Sequence, residues 1–282
     1  MTVLTHESAP TLFIEAGGTR LAYRRFGPAG DVPLLLLNYF AANLDHWDPK
    51  VTNGLAAEHD VIIFDYPGIG GSSGETPSTI AALAKACVAL CRALAITRFD
   101  VVGYSIGGMI AQQLGSDYPS MVRRIILLGT APRGGEGLGF TELSVDELDN
   151  LESLVLYALF SPSDASQAAG RAYLERLKRR VADRDEAVSK HSANAELAAL
   201  REWGQAVPSN ERFTMLQKIN QPTLIVHGTK DIVVMPINAL LLVQHLSNAQ
   251  LIMYPDANHA AQSQHAEIFL RHVQLFFQGA GA

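Results

Sequence analysis

Phe99-Asp100-Val101-Val102-Gly103-Tyr104-Ser105-Ile106-Gly107-Gly108-Met109-Ile110 decides the reading of this chain. The first six residues carry a single charge, Asp100, and otherwise form the short apolar run of a strand buried on both faces. From Ile106 onward the apolar positions Met109, Ile110 and Leu114 recur at helical spacing. Between strand and helix lies G-x-S-x-G, in the structural context that gives this motif meaning. The reason is steric. A sharp strand-to-helix turn forces the serine into an unfavourable backbone conformation, and only small flanking residues, here Gly103 and Gly107, let the chain pass. Ser105 is then exposed at the carboxyl edge of a sheet, where α/β folds bind ligands. The helix N-terminus adds free N–H groups and positive potential. Ser105 is the candidate nucleophile.

Outward from this segment, strands and helices alternate. Strands are expected at 12–15, 19–26, 33–37, 61–64, 124–128, 223–226 and 250–254, the first two as a hairpin around Gly17-Gly18. Helices are expected at 80–95, with Leu83, Cys87, Leu90 and Leu94 on one face, and at 106–116, 237–246 and 259–277. This alternation predicts an α/β fold with a mostly parallel central sheet and helices on both faces. Residues 133–220 break the rhythm, with no convincing strand and helical patterns at 145–159, 166–181 and 183–202. Ser144 is a plausible N-cap for the first of these, with Glu147 completing a capping box. The expected division is a core of residues 1–133 and 221–282, with residues 134–220 as an inserted helical cap.

A serine hydroxyl needs a base, and the base needs a carboxylate to orient it. Of the nine histidines, His227 falls at a strand end, while His245 and His272 fall within helices. His259 follows the last strand through Pro255-Asp256-Ala257-Asn258, which brings it to the same sheet edge as Ser105. His265, six residues on, is the weaker rival. Asp231 occupies the loop after strand 223–226, while the loop after strand 124–128 has no carboxylate before Glu136. The expected triad is therefore Ser105, Asp231 and His259.

Composition narrows the remaining classes. The chain has 282 residues, is 48% hydrophobic and carries a net charge of −6. That supports a large core and argues against disorder. Without a basic tail or stripe, neither nucleic acid nor an anionic membrane surface is expected as a partner. No apolar run approaches the roughly 20 residues of a membrane span. The first residues lack the features of a signal peptide, so a cytoplasmic location is expected. Cys87 and Cys91 lie four apart in a helical pattern and read as core residues, not as a disulfide or a zinc site. No cofactor or metal is expected, since neither a G-x-G-x-x-G unit nor metal-ligand spacing is present. Arg176, Lys178, Arg179 and Arg180, followed by Asp183, Asp185 and Glu186, read as a solvated face, and His191 has no identifiable partner. A homo-oligomer stays open.

The order Ser105, Asp231, His259, carried on G-Y-S-I-G-G, G-T-K-D-I-V-V-M-P and N-H, resembles the α/β-hydrolase superfamily with a helical cap. Asp65-Tyr66-Pro67-Gly68-Ile69-Gly70-Gly71-Ser72 fits that family's D-x-x-G-x-G-x-S turn. The resemblance covers nearly the whole chain and implies a serine hydrolase of the esterase or lactonase branch. It also implies that the backbone N–H groups of Phe40 and Ile106 form the oxyanion hole. The chain departs from the family here, because the usual His-Gly after strand 33–37 is Asn38-Tyr39. Asn38 and Tyr39 are candidates for substrate contact or for a structural turn, and Tyr104 and Trp203 are further pocket candidates. The cap segment carries Phe140, Tyr157, Phe160, Tyr173, Trp203 and Phe213, which suits a hydrophobic ester or lactone as substrate. Perhydrolase, C–C hydrolase and thioesterase activities would keep the same triad, as would a small-molecule receptor without turnover. A dehalogenase or epoxide hydrolase would have Asp in place of Ser105.

Overall fold

The apolar runs assemble into one sheet in a computed structural model that describes residues 4–139 and 151–279. Its eight strands are β1 (Leu12–Ala16), β2 (Thr19–Phe26), β3 (Leu34–Leu37), β4 (Val61–Phe64), β5 (Phe99–Tyr104), β6 (Val122–Leu128), β7 (Thr223–Gly228) and β8 (Ala249–Tyr254). The spatial order is β1-β2-β4-β3-β5-β6-β7-β8. β2 runs antiparallel to both its neighbours, and every other pairing is parallel. The β1–β2 hairpin closes on Gly17-Gly18, both at positive φ, as a two-residue hairpin turn demands.

Parity along the strands divides the core. Leu35, Leu37, Val101, Ile125 and Leu127 pack with α2 (Ile80–Ala93) and α3 (Ile106–Asp117) on one face. Leu34, Leu36, Val102, Ile126 and Leu128 pack with α1 (Pro49–Ala56) and α9 (Ala266–Gly279) on the other. Cys87 and Cys91 are buried free thiols within α2. Chain order reverses at β3, which lies between β4 and β5. The loops leaving β3 and β5 therefore flank the crevice where such sheets bind ligands.

Between β6 and β7 the structure has α4 (Leu151–Leu159), α5 (Asp164–Leu177) and α6 (Lys190–Gly204). Ser163 and Ser189 cap the last two by accepting the backbone N–H three residues on. Ser144, Glu147 and Phe140 lie outside the described residues. Val155, Leu159 and Phe160 of the α4 end pack with Tyr173 and Leu174 of α5 and with Ala260. Beyond β7 come α7 (Ile237–His245), then β8 and the short α8 (Ala261–Gln264). No helix among the described residues is long and apolar enough to cross a membrane.

Four expectations need correction. A single helix over 259–277 is in fact α8 and α9 with a break at His265, whose ring stacks on Tyr254 and whose Nε2 lies 3.1 Å from the Pro255 carbonyl. The helix expected over 183–202 begins only at Lys190, because Asp183 is left-handed (φ 50°) and the following chain turns inward. The mixed charges of 176–186 are a solvated face only in part: Lys178, Arg179, Asp183 and Glu186 are exposed, while Arg176, Arg180 and Asp185 turn inward. Arg180 is buried and donates to the carbonyls of Glu7 and Ala9, and Arg176 grips Asp48 through two bonds of 2.7 Å. Asp185 approaches the buried Arg24. His191 does have a partner, the exposed Glu75 at 2.8 Å.

Candidate active site

Ser105 is the hinge between β5 and α3, with φ 55° and ψ −115°. A non-glycine residue in this region costs energy, and it persists only where its surroundings over-determine it. They do so here: the Ser105 N–H donates to Leu128 O at 2.9 Å, and the Ser105 carbonyl accepts from Thr130 Oγ1 at 2.8 Å. The flanking glycines are sterically required. A Cβ at Gly103 would lie 2.2 Å from Gly107 O, and one at Gly107 would lie 2.1 Å from Leu37 O.

His259 sits in the turn between β8 and α8, buried, with its ring 5.2 Å from that of Tyr104, the residue before Ser105. Its Nδ1 is 2.8 Å from Asp231 Oδ2. A carboxylate oxygen accepts, so Nδ1 carries the proton and Nε2 is left with a free lone pair. Asp231 Oδ1 accepts the N–H groups of Val233 and Val234, both at 2.9 Å. The Asp231 carboxylate also faces His227 Nε2 at 3.2 Å. Burial alone would raise its pKa, but His259 and His227 outweigh that and hold it well below the usual carboxylate range.

His227 is the residue that sequence reasoning passed over. It lies fully buried within β7, and its Nε2 reaches Val234 O at 2.8 Å. A carbonyl can only accept, so this bond fixes the proton on Nε2 and points it toward Asp231 as well. The signal was its spacing, four residues before Asp231 at a strand end. His265 lies apart from this group, against Tyr254 and Pro255.

The loop after β3 is held from several sides. Asn38 is structural: its Nδ2 donates to Asn43 O at 2.7 Å and its Oδ1 accepts the Tyr39 N–H. Leu44 N–H donates to Asp65 Oδ1, which ties the loop to the glycine-rich turn after β4, and Gly71 N–H binds the other oxygen of that carboxylate. Tyr39, where the family commonly has Gly, is not left-handed, so this backbone makes no demand for glycine. Its ring lies 5.0 Å from Tyr104, and its hydroxyl lies 3.1 Å from that of Tyr173 on α5. Burial pushes the Tyr39 hydroxyl up to about 12. The strained position is Ala41 (φ 55°), whose N–H donates to Glu196 Oε2 of α6 at 2.8 Å. No hydrogen bond among the described residues engages the N–H of Phe40 or Ile106. Trp203 is a packing residue: it is fully buried, and its indole N–H donates to Ala131 O at 3.1 Å.

A family model for the alpha/beta hydrolase fold matches residues 32–266. The chain belongs to the α/β-hydrolase fold family. An alpha/beta hydrolase fold protein from Chitinophaga pinensis is 36% identical with a TM-score of 0.89, the match covering 97% of this chain and 99% of that one. Est816, an N-acyl homoserine lactone degrading enzyme, is 27% identical with a TM-score of 0.74, covering 94% of this chain and all of its own. A poly(3-hydroxyalkanoate) depolymerase from Ectopseudomonas oleovorans is 30% identical over 230 residues, which are 80% of this α/β hydrolase and 77% of the relative.

Proposed function

We propose that this α/β hydrolase is a serine hydrolase that cleaves a carboxylic ester or lactone of a hydrophobic small molecule, with helices α4–α6 as a cap over the site. The observation that carries this reading is the strained Ser105 at the end of β5, on the sheet edge that also bears His259, itself held 2.8 Å from Asp231. His259 Nε2 removes the Ser105 proton, and Oγ attacks the carbonyl carbon. The N–H groups of Phe40 and Ile106 stabilise the oxyanion. Asp231 orients the ring and stabilises the imidazolium. The alcohol leaves with the proton from His259, which then activates water to release the acid and regenerate Ser105. In a lactone the alcohol and the acid leave as one molecule.

The substrate class is supported by the relatives named for a lactone and for a polyester, both substrates of ester chemistry. It is also supported by the aromatic residues Tyr39, Tyr104, Phe160 and Tyr173 grouped between core and cap. The test is a fluorophosphonate probe followed by peptide mass spectrometry. Wild-type protein is expected to be labelled at Ser105, and His259→Ala is expected to lose the label. Ser105→Ala is expected to lose about a million-fold in esterase turnover. Full esterase activity in Ser105→Ala would overturn the reading.

A further inference from the structure

His259 is held on one side by the acid loop and on the other by the corner between α4 and α5. The residue before it makes both connections. Asn258 is buried; its Oδ1 accepts the Ile232 N–H at 2.9 Å, next to Asp231. Its Nδ2 donates to Tyr157 O at 3.2 Å and reaches Phe160 O at 3.5 Å, at the end of α4. The residue after His259 repeats the pattern, with Ala260 N–H donating to Leu159 O at 2.9 Å.

The same corner grips the loop at both ends. Ser161 and Ser163 donate to the two oxygens of the Asp256 carboxylate at 2.6 and 2.5 Å. Ser166 donates to Gln264 Oε1 at 2.7 Å, and Gln264 Nε2 donates to the Asp256 carbonyl at 2.7 Å. A helix C-terminus leaves carbonyls without partners inside the helix, and most find water or a following glycine motif. At α4 the loop that carries His259 supplies the donors.

We propose that Asn258 is a positioning residue for His259: it locks the acid loop, the histidine loop and the α4–α5 corner into one unit, so that the imidazole is aimed only when that corner is docked. The chemistry at this position asks for an acceptor and an N–H donor on opposite sides of one short planar group. Asp keeps the acceptor and loses the donor. Ser is too short to serve both sides. The role assigned to His259 rests on the hydrolase reading above, while the bonds themselves do not.

The experiment compares wild type with Asn258→Ala, which loses both connections, and Asn258→Asp, which keeps the Ile232 bond and loses the bonds to α4. Hydrolysis of p-nitrophenyl butyrate is measured per active site, counted with the fluorophosphonate probe. The downfield proton resonance of His259 Nδ1–H is followed in parallel. Asn258→Ala is expected to lower kcat per site about 100-fold, as a misplaced catalytic group does, with KM changed less than threefold, and to broaden the resonance. Asn258→Asp is expected to fall between the two. A purely structural role would lower the number of active sites and the melting temperature only. Per-site kcat within twofold of wild type in both variants, with an unchanged resonance, would overturn the inference. Wild-type protein that takes no probe, but whose His259 resonance still broadens in Asn258→Ala, would overturn the hydrolase reading and uphold the positioning role.

Discussion

At the scale of single residues, sterics govern the turn at Ser105. Gly107 closes against the carbonyl end of β3, where a methyl group would sit 2.1 Å from Leu37 O. That atom is backbone in a central strand and cannot step aside, so Gly107→Ala must push the start of α3 outward and carry Ser105 and the Ile106 N–H with it. A displacement near 1 Å at these groups is expected to cost at least 100-fold in kcat. Overpacking adds about 1–3 kcal/mol of destabilisation, read from urea unfolding. Retained kcat would show that the turn is looser than its contacts imply. The sequence reading selected Ser105, Asp231 and His259 because each follows a strand at one sheet edge and each is a residue type with a chemical task. It passed over His227, whose place in an apolar strand looks like core until the Asp231 carboxylate is seen to turn back onto it.

At the scale of elements, β3 to β7 were legible for a simple reason. Strands with helices on both faces are apolar at successive positions, and the chain around them is not. The described helices between β6 and β7 were legible in number and less so in extent. Their boundaries are set by partners remote in sequence, such as Arg24 for Asp185 and Asp48 for Arg176. Local patterning sees a run of charges and cannot see that Arg176, Arg180 and Asp185 within it are turned inward. The Arg176–Asp48 pair shows what this implies for energetics. Asp48 is buried and also caps α1 through Lys50 N–H. Arg176→Met would strand that carboxylate, and a loss of about 3–5 kcal/mol is expected from equilibrium unfolding. Asp48→Asn on the Arg176→Met background should recover part of it, since the amide needs no cation. A loss under 1 kcal/mol would mean that water reaches the pair and screens it.

At the scale of the whole molecule, buried acids join the body to the helices between β6 and β7. Glu196 of α6 is fully buried against Ala41 N–H, and burial pushes its carboxyl up to about 8. Asp65 and Asp185 lie together; burial and the charge of Asp185 raise Asp65, and burial and the charge of Asp45 raise Asp185. The sign follows from linkage. An acid whose folded pKa is raised keeps its proton in the native state where the unfolded chain has lost it, so stability falls as pH rises between the two values. For Glu196 that window runs from about 4.5 to about 8. Glu196→Gln cannot ionise and keeps an oxygen for the Ala41 N–H. It is expected to melt at least several degrees above wild type at pH 8.5, with the difference closing near pH 5. Equal melting temperatures at both values would show that the carboxyl is ordinary. The signal in the sequence was a glutamate on the apolar stripe of a helix, level with Ala193, Leu197 and Leu200.

The bonds between the α4–α5 corner and residues 256–264 also bear on how such a chain can be recombined. A helical segment from another hydrolase, grafted between β6 and β7, would arrive without carbonyls aimed at Asn258 and Ala260 and without hydroxyls for Asp256. The natural crossover unit is therefore discontinuous. Residues 157–166 and 256–264 have to be exchanged together, although nearly a hundred residues separate them along the chain. A chimera that moves both blocks should inherit its donor's geometry at the position of His259 along with its donor's helices between β6 and β7.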